Sequence, residues 1–318
     1  MEISAEHLID DLRVIGAETG DHLALGLSFK SIGRVTGGPL TLITALQEAI
    51  GPKGTLMMNT YTEFFSKGEI ERGWVDYVFD VDSTRVNTGI VPELFRQQDG
   101  TVRSRHPALS VAASGKYAEF LTEGHDEHAN AYQPFANLSE IGGKYLAIGI
   151  GDRLVGFRHH AQSEAGLLGV VPWFRSVEFK NREGRTELFT LRDRGGCAQR
   201  LPELVADLRE AGLVSEGRIG EASAILVSVP ESIQIMTAAL RNNPERNLCD
   251  RITCYWCREL ERRLDLFDAI ESPRYFQSNR PAVGAIACLN RWRQTDSLLV
   301  ARIKQIVQKY HLERAKRG

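Results

Sequence analysis

The chain has 318 residues, 42% hydrophobic and 25% charged, with 39 Lys and Arg against 41 Asp and Glu for a formal net charge of −2. That composition excludes a predominantly disordered chain, and the near-balance of charge argues against nucleic acid as a partner. No apolar run reaches the roughly 18 residues that span a bilayer, and residues 1–13 lack the basic-then-apolar layout of a secretory signal, so no membrane partner and a cytoplasmic location are expected.

In chain order, an amphipathic helix over residues 4–16 leads to an apolar strand, His22–Leu27. Gly37-Gly38-Pro39 turn the chain into a helix that Gly51-Pro52 end, and a second strand covers Gly54–Asn59. A helix near Val91–Gln97, an apolar stretch at Ser110–Ala113, a helix near 115–123 and a buried-strand signal at Lys144–Gly151 follow. Such alternation predicts an α/β fold, a sheet packed between helices. Residues 172–192 read as a hairpin turned by Asn181-Arg-Glu-Gly184, and long helices are expected to close the domain. Residues 250–318 carry 14 Lys and Arg against 8 Asp and Glu, net +6, which leaves residues 1–249 at −8. The chain is therefore read as an acidic domain, 1–249, followed by a helical basic extension, 250–318.

Five cysteines (Cys197, Cys249, Cys254, Cys257, Cys288) are an odd number without a secretory signal, which argues for reduced thiols. Cys249-x4-Cys254-x2-Cys257 has the look of half a zinc site, but the neighbouring sequence supplies no fourth ligand. Cys254, Cys257, Leu260, Leu264 and Phe267 also fit the buried face of a helix. The buried-thiol reading is preferred, and no metal is expected.

Polar and Gly residues cluster at three predicted strand ends, where α/β proteins place their sites. The first cluster, Ser28-Phe-Lys-Ser-Ile-Gly-Arg-Val-Thr-Gly-Gly-Pro39, offers hydroxyls, amides and two cations to phosphate or pantetheine, or is a Gly-rich connection and nothing more. The second, Arg103-Ser-Arg-His-Pro-Ala-Leu-Ser110, is either an anion-binding loop of fork-shaped guanidiniums or a rigid His-Pro loop whose imidazole bonds to backbone. The third runs from Gly149 to Gly166. If a helix starts near His159, His160 and Glu164 sit one turn apart, the arrangement of a general base and the carboxylate that orients it. His125-x-x-His128 superficially resembles metal ligation but reads as a solvated loop. The acidic stretch Glu63, Glu69, Glu71, Asp76, Asp80 and Asp82 is either a negative rim for a cationic ligand or a solvated loop.

Taken in order, these motifs resemble the aminoglycoside 3-N-acetyltransferase family. The first block and Ala45-Leu-Gln-Glu-Ala-Ile-Gly-Pro-Lys-Gly-Thr-Leu56 are similar to the family's Gly-Gly-Pro loop and the helix and strand after it. Gly89-Ile-Val-Pro-Glu-Leu-Phe-Arg96, Arg103–Ser110 and Gly142-Gly-Lys-Tyr-Leu-Ala-Ile-Gly149 match the next segments. Arg209–Val214 and Gly217–Ala222 resemble its late helices. The resemblance implies a layered α/β/α sandwich with a helical C-terminal extension. It also implies transfer of an acetyl group from acetyl-CoA, as cosubstrate, to an amine of an aminoglycoside or related amino-sugar.

The site residues follow from the same resemblance. His160 would act as general base, oriented by Glu164 or Asp193, with His159 as a second register. Ser28, Lys30, Ser31, Gly33, Arg34, Val35, Arg103, Ser104, His106 and Ser110 would surround acetyl-CoA. If the acidic stretch is a rim and not a solvated loop, Glu63, Asp76 and Asp80 would face the acceptor. Three departures stand out. Gly26-Leu27 precede Ser28 where the family shows His-Ser, Asn59 replaces the Pro of Met-Pro-Thr, and His160-Ala-Gln-Ser-Glu164 is one residue longer than the family's His-x-x-Glu. They keep open a second reading, a catalytically lapsed member serving as a CoA-binding or protein-interaction module. Cys197 has no adjacent base and ranks low as a nucleophile. Exposed apolar stripes on the tail helices would be consistent with a homodimer.

Overall fold

A computed structural model describes residues 2–154, 156–167, 175–191 and 201–249, together with Arg251, Cys254, Trp256, Cys257 and Leu260. Asp193, Cys197 and the helices expected after residue 260 lie outside the described residues. The chain divides into two compact units, Met1–Gly195 with Leu201–Arg241, and Gly196–Arg200 with Asn242–Gly318.

In chain order the elements are α1 (Ala5–Ile15), β1 (His22–Leu27), α2 (Phe29–Ile32), α3 (Pro39–Ile50), β2 (Thr55–Asn59), β3 (Phe65–Ser66), α4 (Lys67–Glu71) and β4 (Val78–Phe79). Then come α5 (Ile90–Phe95), β5 (Thr101–Arg103), β6 (Val111–Gly115), α6 (Ala118–Thr122), α7 (Gln133–Glu140), β7 (Lys144–Ile148) and α8 (Phe157–Glu164). The last are β8 (Arg175–Lys180), β9 (Thr186–Thr190), α9 (Leu201–Glu210), β10 (Val214–Ile219), β11 (Ala222–Ser228) and α10 (Val229–Asn242).

Seven strands form one sheet in the order β10-β11-β7-β1-β2-β6-β5. β1 pairs in parallel with β2 and β7, while β6 and β11 run antiparallel to their inner neighbours. A smaller sheet joins β3, β4 and β9 to β8.

Alternation along the strands sorts side chains to two faces. On one face Leu23, Leu25, Leu56, Met58, Leu146 and Ile148 pack with Leu8 and Leu12 of α1 and Leu42 and Leu46 of α3 in one core. Each such buried side chain contributes about 1.5–3 kcal/mol. Ser4 caps α1 by accepting the His7 amide, and Gly16 ends it in the left-handed region at φ +104°. On the other face Tyr145 meets Phe157 at 5.2 Å and Phe135 at 6.5 Å between ring centres. Helices on both faces make the three layers that the sequence implied.

Gly26 belongs to this second face. A Cβ there would lie 2.2 Å from the Tyr145 hydroxyl, so the tyrosine fills space that a side chain at 26 would need. The hairpin expected at 172–192 is β8–β9, whose turn is held by Asn181 Oδ1 accepting from the amides of Glu183 and Arg185 at 3.0 and 2.9 Å. The late helices expected at Arg209–Val214 and Gly217–Ala222 need correction. Only Arg209 and Glu210 are helical, and Val214–Ser228 form the β10–β11 hairpin, turned at Gly220 with φ +58°. There β11 covers the edge of β7, whose backbone groups would otherwise be unpaired. Among the described residues, no helix is long and apolar enough to cross a membrane.

Candidate active site

Because β1, β2 and β7 are parallel, the loops leaving their C-terminal ends share one edge of the sheet. β6 runs the other way, so the loop 104–110 enters it from that same edge, where Val111 pairs with Asn59. All three sequence clusters are thereby collected at the edge where α/β sheets bind ligands.

The third cluster holds the histidine candidates for the base. Gly156 opens α8 at φ +95°, and a Cβ there would come within 2.4 Å of the Phe135 ring and 3.1 Å of the Tyr61 hydroxyl. Only glycine lets the helix start this close to the aromatic layer. Within α8, Phe157, Arg158, His160, Ala161 and Gln162 are buried, and His159 is half-buried with its ring 5.4 Å from that of Tyr132. His159 Nδ1 lies 2.5 Å from Gln162 Oε1. An amide oxygen only accepts, so Nδ1 carries the hydrogen and Nε2 is the basic nitrogen.

The His160–Glu164 pair is not assembled. His160 sits inside the fold, where burial pushes its pKa down and the charge of Glu164 works the other way, and among the described residues no hydrogen bond joins the two. Glu164 closes the helix and is exposed; bringing its carboxylate beside a buried imidazole would cost desolvation. Counted from His159, the family's His-x-x-Glu becomes His159-His-Ala-Gln162, without an inserted residue and with an amide in place of the carboxylate. The second register noted in the sequence carried this signal.

Arg158 escaped the sequence reading. Its guanidinium is buried and interacts with Tyr145, Tyr132 and Tyr61, and among the described residues its Nε and Nη1 find no hydrogen-bond partner. Burial lowers the Arg158 pKa and raises that of Tyr61.

In the first cluster, the Ser28 amide donates to Ile148 O at 2.9 Å, and Ser31 Oγ donates to Ser28 Oγ at 2.8 Å. A Cβ on Gly149 would lie 2.5 Å from that of Ser31, so the first and third clusters touch. Lys30 is exposed beside them. Two expected contacts are committed elsewhere: Arg34 pairs with Glu2 at 3.0 Å, and Val35 is buried and bridged to Ile3. Gly33 is pressed against Glu221, whose carboxyl carbon lies 2.7 Å from an added Cβ.

In the second cluster, Arg103, His106 and Ser110 are engaged in bonds within the fold. Arg103 spends its donors on Val81 O, Thr84 O, Thr60 O and Ser110 Oγ at 2.6–3.2 Å, and burial pushes its pKa down to about 10. His106 Nδ1 accepts from the amides of Ala108 and Leu109 at 3.3 and 3.0 Å. Burial takes its pKa down to about 4, so the ring is neutral. Ser104 Oγ accepts from the Val111 amide, and Ser110 Oγ donates to Thr60 O. His125, expected in a solvated loop, is buried instead. It stacks on His106 at 4.8 Å with Nδ1 on Ser104 Oγ at 2.9 Å, while His128 is exposed.

Of the acidic candidates, Glu63 and Asp76 are exposed, and Glu63 Oε1 accepts from Asn87. Asp80 is occupied: it pairs with Lys180 at 3.0 Å and accepts from the amides of Asp82 and Ser83, which holds its pKa down at about 2. A cavity of about 730 Å³ lined by Arg96, Arg105, Asp126 and Arg182 takes in no residue of α8 or of the first cluster.

Known aminoglycoside acetyltransferases are similar to this chain in both sequence and fold. The aminoglycoside N(3)-acetyltransferase VII of Streptomyces paromomycinus is 27% identical over 263 residues, covering 74% of this chain and 91% of its own. A histidine-to-alanine mutant of aminoglycoside acetyltransferase AAC(3)-IVa in complex with a gentamicin superposes with a TM-score of 0.71 at 26% identity, over 82% of this chain and 98% of its own. AAC-IIIb in a binary complex with CoASH gives 0.65 at 26% identity, over 76% and 97%. The sequence profile described as aminoglycoside 3-N-acetyltransferase matches residues 25–241, more than half of the 318. The chain belongs to the aminoglycoside 3-N-acetyltransferase family.

Proposed function

We propose that the protein transfers an acetyl group from acetyl-CoA directly to an amine of an aminoglycoside or related amino-sugar, with His159 as the general base. The observation that carries this reading is the hydrogen bond from His159 Nδ1 to Gln162 Oε1 at the ligand-binding edge of the sheet. It fixes the tautomer in which Nε2 can take a proton from the acceptor ammonium or from the amine as it attacks. The amine nitrogen bonds to the thioester carbonyl carbon, the carbon–sulfur bond breaks, and the proton held by the imidazole can pass to the leaving sulfur.

The first cluster suits the cosubstrate. Ser28, Ser31 and the Gly149 turn pack closely enough to leave backbone exposed to a ligand, and Lys30 supplies a charge for phosphate. Arg103, Ser104, His106 and Ser110 hold the loop at this edge through their bonds within the fold. Glu63 and Asp76 offer exposed carboxylates to a cationic acceptor, a role Asp80 cannot share while it holds its own loop. The buried Arg158 guanidinium invites a polar ligand atom beside the base.

Release of CoA thiol from acetyl-CoA, measured with gentamicin, sisomicin, apramycin and simple amino-sugars, tests the reading. His159→Ala is expected to lower kcat by about 10²–10⁴-fold, the usual worth of a general base, and His160→Ala by only a few-fold. The reverse ranking would overturn the assignment of the base. The amide at Gln162 favours the lapsed reading as the alternative, and CoA binding without turnover on any amine would establish it.

A further inference from the structure

The three cysteines read as a buried helix face are gathered more closely than that reading requires. The Sγ atoms of Cys249, Cys254 and Cys257 all lie within 4.8 Å of one another. Cys257 Sγ is 3.5 Å from Cys249 Sγ and 3.6 Å from Cys254 Sγ. These distances are not those of a disulfide, which would need about 2.0 Å. A tetrahedral zinc–thiolate centre with Zn–S bonds of about 2.3 Å has sulfur–sulfur edges of about 3.8 Å. Two of the three edges are close to that length and the third is within 4.8 Å, so the sulfurs approximate one face of such a tetrahedron.

The local backbone suits the same chemistry. The Cys249 amide donates to Cys257 Sγ at 3.1 Å, a bond that stabilises a thiolate more than a thiol. The Cys254 amide donates to Arg251 O at 2.9 Å, closing a turn, and Trp256 and Cys257 are helical. A Cys-x2-Cys pair on a turn entering a helix has the spacing of structural zinc sites. As packing alone the arrangement gains little, because thiols are weak donors and weak acceptors toward one another.

We propose that Cys249, Cys254 and Cys257 bind zinc, as thiolates, in a structural site of the second compact unit. This replaces the expectation of no metal. A closed site takes four ligands. A fourth ligand besides these three thiols would complete it. Three thiols lose protons on binding, so affinity falls as the solution is acidified.

The test uses the full chain, expressed with added zinc and purified with a reductant but no chelator. It is expected to hold about one zinc per chain, to release it when a mercurial titrates the thiols, and to show a thiolate-to-metal charge-transfer band in the near ultraviolet when loaded with cobalt. The double substitution Cys254→Ser/Cys257→Ser should lower zinc content at least about tenfold. If that variant does not fold, the cobalt spectrum of the unaltered chain decides. A reduced, folded wild-type chain that retains under roughly a tenth of an equivalent of zinc and takes cobalt without the thiolate band overturns the proposal.

Discussion

His159 and Gln162 show how much a single atom governs at the candidate base. An amide at 162 can hold the imidazole in the required tautomer, but it cannot stabilise the imidazolium that forms as the proton moves. Gln162→Glu would supply the missing charge. A carboxylate next to His159 raises the imidazole pKa, so the acid limb of the kcat profile should move to higher pH, and kcat on its plateau should rise by about tenfold. A pH–rate profile of both proteins checks this; an unmoved limb would show that the two side chains do not act as a pair. Gln162 is fully buried, so the charged variant should also lose some thermal stability.

At the scale of elements, the alternation of apolar segments made most of the sheet legible, since period-2 and period-3.6 patterns are set by burial on one face. β10 and β11 were not legible: Val214–Ala222 mixes Gly and charge, and β10 owes its strand character to pairing with β11, which in turn pairs with β7. The two-residue strands β3 and β4 leave no pattern to read. The site was legible as three clusters at strand ends, but not in the commitments of their side chains. A guanidinium fork looks the same in sequence whether it meets phosphate or, as at Arg103, three carbonyls and a hydroxyl. The loop between β5 and β6 makes this testable through pH. His106 is neutral in the fold, with its pKa down at about 4, while the unfolded chain takes the proton near the ordinary histidine value of 6.5. Its contribution is thus complete above pH 6.5 and is lost progressively as pH falls toward 4, and His125, depressed in the same direction, adds to the effect. From His106 alone, unfolding free energy should drop by about 2 kcal/mol between about pH 7 and pH 5. His106→Asn keeps an acceptor for the Ala108 and Leu109 amides but does not titrate, so urea melts of this variant should show a flatter pH dependence.

Across the whole molecule, the net charge of −2 conceals an acidic stretch of −8 over residues 1–249 and a basic one of +6 over 250–318. If the acidic part carries the acetyl transfer, its field should draw a polycationic acceptor toward the sheet edge and do little for a monoamine. Such steering acts over the screening length, which shrinks from about 30 Å at about 0.01 M salt to about 3 Å at about 1 M. Over that range, KM for gentamicin is expected to rise about tenfold while kcat stays nearly constant if, as proposed, the proton transfer takes place at His159 within the fold. Glucosamine, with one ammonium, should show a change of no more than about two-fold. Steady-state kinetics at fixed acetyl-CoA separate the outcomes. Equal salt dependence for both acceptors would trace the effect to the polyanionic cosubstrate instead. Charge reversal at the exposed Glu63 and Asp76 should flatten the gentamicin dependence if these two carboxylates contribute the local part of the field.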